Sequence, residues 1–282
     1  MKKRNFKLII TALVISMVGG VMAGCSLDKN TGESKKIDLV TISISGSTSV
    51  GPLMEKISDE YENKNEGISI EINQVGSSAG IKDTINGVSE IGMASRELKD
   101  EEKSEVTGTI IAYDGIALIT NKNNPVKEIT LEEVKGIYTG KITNWNELNG
   151  GMDAPIVVVS REEGSGTRSA FEEIVGYKSE ELLGIATIAD GSGSIKTTVS
   201  GNENAIGFIS FEYLDETIGT LNLGGVKPEA SLVKNGKYKL SRPFILVTKT
   251  SNITENGNML IDYILSEEGQ KIVEDNKLIT LE

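Results

Sequence analysis

The sequence of 282 residues lacks histidine altogether and contains a single cysteine. Without histidine the protein cannot build a Ser-His-Asp or Cys-His relay, a histidine-ligated zinc site or the usual general base near neutral pH. The one cysteine, Cys25, permits neither an internal disulfide nor a cysteine cluster for a metal. Most classes of hydrolase are therefore disfavoured.

Positive charge is also scarce. Lys and Arg total 29 against 41 Asp and Glu, which gives a net charge of −12. Nucleic-acid binding needs a positive surface facing the phosphates, so we expect no nucleic-acid partner. The hydrophobic content of 38% and the charged content of 25% are ordinary for a globular protein, and the length suffices for one large or two ordinary domains.

The N-terminal residues 1–24 are predicted to be a secretory signal peptide. They combine a basic start, an apolar stretch from Leu8 to Val21 and the small residues Ala23-Gly24 just before Cys25. The cysteine directly after Met22-Ala23-Gly24 resembles the bacterial lipobox, at which the thiol receives a diacylglyceryl group and becomes residue one. Cys25 is thus predicted to be a lipid anchor, the alternatives being a soluble secreted protein with an incidental cysteine or an uncleaved transmembrane helix.

A short polar segment follows the predicted anchor. Residues 26–36 are polar apart from Leu27 and lack aromatic side chains, which is typical of a flexible tether. Cleavage before Cys25 removes four cations and no acid, so it takes the net charge from −12 to −16. The exported body is expected to be strongly acidic.

From Ile37 onward, short apolar stretches alternate with helical patterns, which is typical of an α/β fold. Strands over Leu39–Ser45 and Ile68–Val75 flank a helix over Ser49–Asn63, which predicts a βαβ unit. Further strands are predicted at Ile91–Ala94, Pro155–Ser160, Ala205–Ser210 and Pro243–Thr248, and further helices at Ile81–Asn86, after Thr130, at Phe171–Leu183 and at Asn258–Asn276.

One apolar segment is unusually long. Thr109–Thr120 is interrupted only at Tyr113-Asp114-Gly115, and an interrupted strand of this length suits a crossover between two domains. An unpaired charge on Asp114 would be costly inside such a segment.

Short Gly/Ser/Thr clusters recur where a strand ends and a helix begins. They are Gly46–Ser49, Gly76–Gly80 and Gly164–Thr167, the last preceded by Arg161. Each offers unpaired backbone N–H groups at the positive end of a helix, together with hydroxyl donors, and is a candidate oxyanion site. A single cluster is more simply explained as a turn with a hydroxyl N-cap, but three of them and an arginine favour a shared anion site.

Two enzymatic interpretations of these clusters fail. The segment Gly164–Arg168 lacks the spacing and the lysine of a nucleotide-binding P-loop. A serine nucleophile has no histidine to serve as its base and no Ser-x-x-Lys pair beside it.

The segments GSTSV, QVGSSAGI, IGMASREL, GIYTGKITNW and SREEGSGTR, in this order, resemble the substrate-binding lipoproteins of bacterial high-affinity phosphate ABC importers. The resemblance runs from Ile37 to the C-terminal helix. It implies a two-lobe, type II periplasmic-binding-protein-like α/β fold that buries dehydrated phosphate in the cleft between its lobes. Lobe I would comprise residues 37–114 and 240–282, lobe II residues 115–239, and two crossover strands would form the hinge.

The resemblance also implies which residues hold phosphate. Arg161 would supply a cationic fork, and Glu163 would pair with it, unless Glu163 is a solvated loop acid. The remaining ligand-binding residues implied are Ser47, Thr48, Ser49, Ser77, Ser95, Arg96, Ser165, Gly166 and Thr167.

One departure from the family pattern concerns the proton of phosphate. An aspartate directly follows the serine matching Ser95 in the best-known enterobacterial member, where it accepts that proton, whereas this chain has Arg96. We expect Asp114 to take the role, held by Arg96, and to disfavour sulfate, which has no proton to offer. The alternative is that Asp114 is a turn residue before Gly115.

The expected protein is a monomeric, lipid-anchored phosphate receptor on the outer face of the cell membrane. It would deliver phosphate to permease subunits and would use no cofactor, no metal and no catalytic residue. Three alternatives remain: a receptor for sulfate, molybdate or another oxyanion; an extracytoplasmic phosphatase or phosphotransferase, which the lack of histidine disfavours; and a surface adhesin or sensor without a transport role.

Overall fold

The computed structural model describes residues 39–281. The signal peptide, the Cys25 anchor and the tether predicted over residues 1–36 lie outside this range and stay predictions. No helix in the range described is long and apolar enough to cross a membrane.

Strands and helices alternate along the described chain. The strands are β1 (Val40–Gly46), β2 (Ile68–Gln74), β3 (Ile91–Ala94), β4 (Thr107–Asn121), β5 (Glu128–Ile129), β6 (Val157–Arg161), β7 (Thr187–Ala189), β8 (Ala205–Ser210), β9 (Ile218–Thr220), β10 (Asn222–Leu223) and β11 (Ser241–Thr248). The α-helices are α1 (Gly51–Lys64), α2 (Ser77–Ile85), α3 (Asp100–Lys103), α4 (Leu131–Tyr138), α5 (Gly166–Val175), α6 (Gly191–Ser200), α7 (Ala230–Lys234), α8 (Glu255–Leu265) and α9 (Glu267–Asp275). Short 3-10 helices cover Trp145–Glu147, Ser179–Glu181 and Phe211–Tyr213.

The predicted βαβ unit is confirmed. Strands β1 and β2 pair in parallel, with helix α1 between them in the chain. The helix buries Leu53, Met54, Ile57 and Tyr61, which recur every three or four positions and so form one apolar face. Proline in its first turn costs no hydrogen bond, because the first backbone N–H groups of a helix have no intrahelical acceptor.

The main sheet continues from one lobe into the other. Among the described residues its strand order is β2-β1-β3-β11-β4-β8-β6-β7, with β9 also pairing with β4, while β5 and β10 form a separate pair. Strands β1, β2 and β3 run parallel to one another, whereas β11 is antiparallel to both β3 and β4. The result is the mixed α/β, two-lobe architecture that the sequence predicts.

Strand β4 is the crossover element. Its first part pairs with β11 up to Gly115, and its second part, from Ile116, pairs with β8. The predicted interruption is wrong, because Asp114 and Gly115 continue the strand without a turn. Glycine is needed at 115 for another reason: a Cβ there would lie 2.2 Å from ring atoms of Phe211.

Each lobe buries its own apolar core. In the described chain one cluster of buried side chains comes from residues 42–112 and 244–278, and a second comes from residues 116–240. A third, smaller cluster of the first lobe comes from residues 81–106 and 245–247. Strand β4 and the chain entering β11 connect the two lobes. The exact lobe limits expected from the resemblance stay a prediction.

Helix α5 differs from its predicted position. It begins at Gly166 rather than Phe171, so the glycine-serine cluster forms its first turn. It ends at Val175 rather than Leu183, because Gly176 adopts the left-handed conformation with φ of 82° that terminates many helices.

The closing helix predicted over Asn258–Asn276 is in fact two helices. Ser266 has extended backbone angles and separates α8 from α9, and its hydroxyl caps α9 by accepting a hydrogen bond from the Gly269 N–H. A serine N-cap supplies one of the acceptors that a helix start lacks, so the chain can turn here at little cost.

Candidate anion-binding site

Helix starts that carry hydroxyl side chains meet between the two lobes. The Ser49 hydroxyl, just before α1, lies 2.7 Å from the hydroxyl of Thr167 in α5 and 3.0 Å from that of Ser192 in α6. At the start of α2, the Ser78 N–H donates to the Gly164 carbonyl at 3.1 Å. The three clusters predicted from the sequence therefore converge on one place.

Gly166 marks the closest approach of the two lobes. A Cβ on this residue would lie 2.1 Å from the Ser77 hydroxyl and 2.7 Å from that of Ser95, so only glycine fits. The backbone of the first turn of α5 is thereby held directly against the first lobe. Ser165 is buried beside it and caps α5 by accepting a hydrogen bond from the Arg168 N–H at 3.2 Å.

Three buried serines of the first lobe form a hydrogen-bonded group at the site. The Ser47 hydroxyl donates to that of Ser95 at 2.9 Å, and the Ser77 hydroxyl lies 3.3 Å from the same oxygen. The Ser77 hydroxyl also accepts from the Ser95 N–H at 3.1 Å. Hydroxyls that bond to one another can turn toward a ligand, because each can donate or accept.

Arg161 supplies the positive charge of the site and is only 1% exposed. It ends β6, and its Nη2 donates to the Thr48 hydroxyl of the opposite lobe at 3.0 Å. Its Nη1 donates to Ser192 at 3.1 Å and to Thr167 at 3.5 Å. The guanidinium therefore touches hydroxyls from both lobes, an arrangement that suits the predicted cationic fork.

The acid that pairs with Arg161 is Glu162, so the predicted pairing with Glu163 is wrong. Glu162 accepts from Nη2 at 2.6 Å and from Nε at 2.7 Å, and it also accepts from the Gly191 N–H at 3.2 Å. Burial alone would raise the pKa of Glu162, but these donors and the charge of Arg161 outweigh burial and lower it. Glu163 is exposed, since the chain turns outward at that residue before the left-handed Gly164.

Arg96 does not hold Asp114, contrary to the prediction. Its guanidinium forms a bidentate ion pair with Glu102, at 2.7 and 2.8 Å, and donates to the Ser78 hydroxyl at 3.2 Å. Arg96 thus lies behind the start of α2 and supports Ser78, which bonds across the cleft.

Asp114 is fully buried in β4 and is held by Arg242 of β11. Its Oδ2 accepts from the Nη2 of Arg242 at 2.9 Å and from the Nε at 3.3 Å, while its Oδ1 accepts from Ser210 and from the Phe211 N–H. Burial raises the pKa of Asp114, and these four donors oppose the rise. The structure does not bring Asp114 into the hydroxyl cluster, because none of its partners belongs to that cluster.

Sequence reasoning missed Ser192 and Tyr213. Ser192 belongs to a fourth glycine-serine cluster at the start of α6, but the strand before it, β7, has only three residues and was not recognised. The Tyr213 hydroxyl donates to the Thr48 carbonyl at 2.8 Å and so joins the lobes beside the site. Burial raises the pKa of Tyr213 to about 12, with the charge of Glu212 adding to the effect.

The arrangement suits the binding of a tetrahedral anion. It combines one arginine, hydroxyls from both lobes and the N–H groups at helix starts, which attract negative charge. The carboxylate nearest to Arg161 is bound to it on both oxygens and is poorly placed to act as a base. Within residues 39–281, no group of three or more acidic, histidine or cysteine side chains could hold a metal ion.

The model of the PBP superfamily domain matches residues 30–268 of the chain. The phosphate-binding protein PstS of Bacillus subtilis is 32% identical over 287 aligned residues, which cover 97% of this chain and 92% of that protein.

Two solved structures resemble the chain across both lobes. One is the crystal structure of a candidate phosphate ABC transporter substrate-binding protein from Clostridium perfringens with bound phosphate, at 60% identity and a TM-score of 0.85, covering 86% of this chain and 100% of that one. The other is an ABC-type phosphate transport receptor from Vibrio cholerae, at 34% identity and a TM-score of 0.72, again covering 86% and 100% of the two chains.

Proposed function

The chain belongs to the periplasmic-binding-protein superfamily and, within it, to the PstS-type phosphate-binding proteins, and from this premise we propose that it binds inorganic phosphate between its lobes and delivers it to an ABC importer. The permease subunits of that importer are its expected partners. The relatives reported above are named as phosphate-binding or substrate-binding proteins and as a phosphate transport receptor.

The position of Arg161 carries the proposal. Its guanidinium donates to Thr48 in one lobe and to Ser192 in the other. The site therefore has all of its hydrogen-bond donors in place only when the two lobes are in contact. Phosphate replacing these hydroxyl contacts would receive charge-assisted hydrogen bonds, each contributing about 1.5–3 kcal/mol before desolvation is subtracted.

The positive potential at the site must attract an anion although the protein as a whole is negatively charged. The whole chain has a net charge of −12, but at physiological ionic strength exposed charges are screened beyond about 8 Å. The dipoles of the helix starts and Arg161 act at hydrogen-bond distance, where such screening is weak.

The hydroxyl groups also supply acceptors for a ligand that carries a proton. A serine or threonine oxygen can accept the hydrogen of phosphate or arsenate, whereas sulfate has none to donate. Sulfate can only accept, so such a hydroxyl would have to turn and donate to it, giving up the acceptor to which it now donates.

We further propose that the mature protein is anchored on the outer face of the membrane through acylated Cys25. The basic start, the apolar stretch and the small residues before this cysteine support the proposal. Two or three acyl chains hold a protein firmly, since each buried CH₂ contributes about 0.8 kcal/mol. Mass spectrometry of the native protein should find acyl chains on Cys25, and an unmodified N-terminal cysteine would contradict the anchor.

Calorimetric titration of the purified protein with phosphate, arsenate and sulfate tests the receptor function. We expect one phosphate per chain, arsenate close behind it and sulfate weaker than both. Preferential binding of sulfate or molybdate would identify a receptor for another oxyanion, and hydrolysis of phosphoesters would point to an enzyme.

A further inference from the structure

Glu212 is a partly exposed acid whose buried carboxylate has no hydrogen-bond partner among the described residues. It lies in the 3-10 helix Phe211–Tyr213, which follows β8, and neither of its carboxylate oxygens touches solvent. The Nη1 of Arg242 is buried and unpartnered in the same way. Two such groups near one crossover are unusual, because buried polar atoms are nearly always paired.

The charged groups around Glu212 have hydrogen-bond partners other than Glu212. Asp114 and Arg242, on the two crossover strands, form an ion pair at 2.9 Å. On α1, the Lys56 ammonium donates to Asn276, and Glu55 accepts from the Gln74 side chain at 2.7 Å.

The phenol of Tyr213, next in the chain, is a further titratable group beside Glu212. The four charged groups named above comprise two acids and two bases. An ionised Glu212 would therefore add one uncompensated negative charge, whereas a protonated Glu212 would leave the cluster neutral.

Glu212 lies close to the boundary between the lobes. Glu212 belongs to the segment after β8, in the second lobe, while Lys56 and Glu55 belong to α1 of the first lobe. The neighbouring Tyr213 donates to the Thr48 carbonyl at 2.8 Å and so ties this segment to the start of α1. Separation of the lobes would break that bond and would open the Glu212 carboxylate to water.

We propose that Glu212 is a proton-binding site coupled to closure of the cleft: it takes up a proton when the lobes close on phosphate and releases the proton when they open. This inference rests on the proposed receptor function. It adds a second ligand, the proton, which binds away from the anion itself.

The electrostatics of the closed form support this assignment. Burial raises the pKa of Glu212 well above its ordinary value of 4.5, and repulsion from Asp114 adds to the rise, while Lys56 and Arg242 oppose it. In the open form the carboxyl would return toward its ordinary pKa. Because the closed form then holds more protons, phosphate affinity should increase as the pH falls from the closed-state pKa toward 4.5.

Calorimetry of phosphate binding at near-neutral pH, in buffers of different ionisation enthalpy, counts the protons exchanged. Phosphate ionisation contributes equally in every variant, so the informative quantity is the difference between the wild type and Glu212→Gln. We expect the wild type to take up, per bound phosphate, up to about one proton more than Glu212→Gln does. The control Glu216→Gln, an exposed acid four residues further on, should match the wild type.

Equal proton uptake in the wild type and Glu212→Gln would overturn the inference and leave the receptor function intact. A wild type that does not bind phosphate would instead overturn the receptor function. Infrared difference spectroscopy of the wild type gives an independent result, since phosphate should add the band of a protonated carboxyl. The absence of that band would also overturn the inference.

Discussion

Two buried arginines lie where the lobes meet, and they differ in what surrounds them. Arg161 contacts three hydroxyls from both lobes in addition to Glu162. Arg242 is held by Asp114 on the paired strand, with which it forms two hydrogen bonds. Hydroxyls can exchange their partners for a ligand, whereas a carboxylate on an adjacent strand cannot move away. Burial of an arginine therefore does not by itself identify an anion site, and the nature of its partners does.

The largest expected effect is a loss of stability in Asp114→Asn without a change in anion selectivity. Asp114→Asn removes the charge that compensates Arg242, and breaking a buried ion pair typically costs about 3–5 kcal/mol of unfolding free energy. Denaturant unfolding should show this loss, while Asp262→Asn, an exposed acid in α8, should change little. The ratio of phosphate to sulfate affinity should stay close to the wild-type value. A strong decrease of that ratio in Asp114→Asn would show instead that Asp114 accepts the proton of phosphate.

Arg161→Ala, in contrast, should mainly lower phosphate affinity. It removes the fork and leaves Glu162 unopposed near the anion, so phosphate affinity should fall by at least about 2–3 kcal/mol, which is roughly 30- to 150-fold. Arg96→Ala is the matched comparison, because Arg96 is also buried but pairs with Glu102 behind the site. Equal losses of phosphate affinity in the two variants would remove the distinction between ligand-facing and supporting arginines.

The individual hydroxyls should have smaller effects. Thr167→Ala and Ser192→Ala each remove one donor near Arg161, and each should weaken phosphate binding by about 1 kcal/mol, roughly fivefold. Ser194→Ala, at an exposed position of the same helix α6, is the control for Ser192. If Ser192→Ala binds phosphate as tightly as this control does, α6 does not contribute to the site.

The smallest expected effects concern pH, and they have opposite signs in the two regions. The pKa of Glu162 is lowered in the folded protein, so its stabilising contribution is present above about 4.5 and is lost as the pH falls through the folded value. The pKa of Glu212 is raised, so its own contribution to stability should be greatest below about 4.5 and should be lost as the pH rises through the folded value.

Melting temperatures against pH, measured with saturating phosphate, check both signs. Glu162→Gln should reduce the fall of melting temperature below pH 4.5. Glu212→Gln should reduce the fall of melting temperature as the pH rises above 4.5. If both variants changed the melting temperature in the same pH range and in the same direction, the pKa values of the two carboxyls would not be shifted in opposite directions.

Local patterns in the sequence predicted much of this site. Ser47, Ser77 and Thr167 could be placed near helix starts because a strand, a glycine-serine cluster and an apolar helical face follow one another in the chain. That the clusters converge follows from the α/β architecture, in which the carboxyl ends of neighbouring strands meet at one edge of the sheet.

The partners of charged side chains could not be predicted in this way. Glu162 and Glu163 are adjacent and chemically identical, and only the left-handed turn at Gly164 decides which of them faces Arg161. Asp114 and Arg242 are 128 residues apart and meet only through the register of β4 and β11. A single sequence contains no local sign of that register.

A crystal structure of the protein with phosphate is the most direct test of the anion site. Phosphate should lie within hydrogen-bond distance of Arg161 and should contact hydroxyls from both lobes, Thr48 on one side and Thr167 and Ser192 on the other. Phosphate bound to one lobe alone, or bound at the Asp114–Arg242 pair, would contradict the assignment of the two arginines.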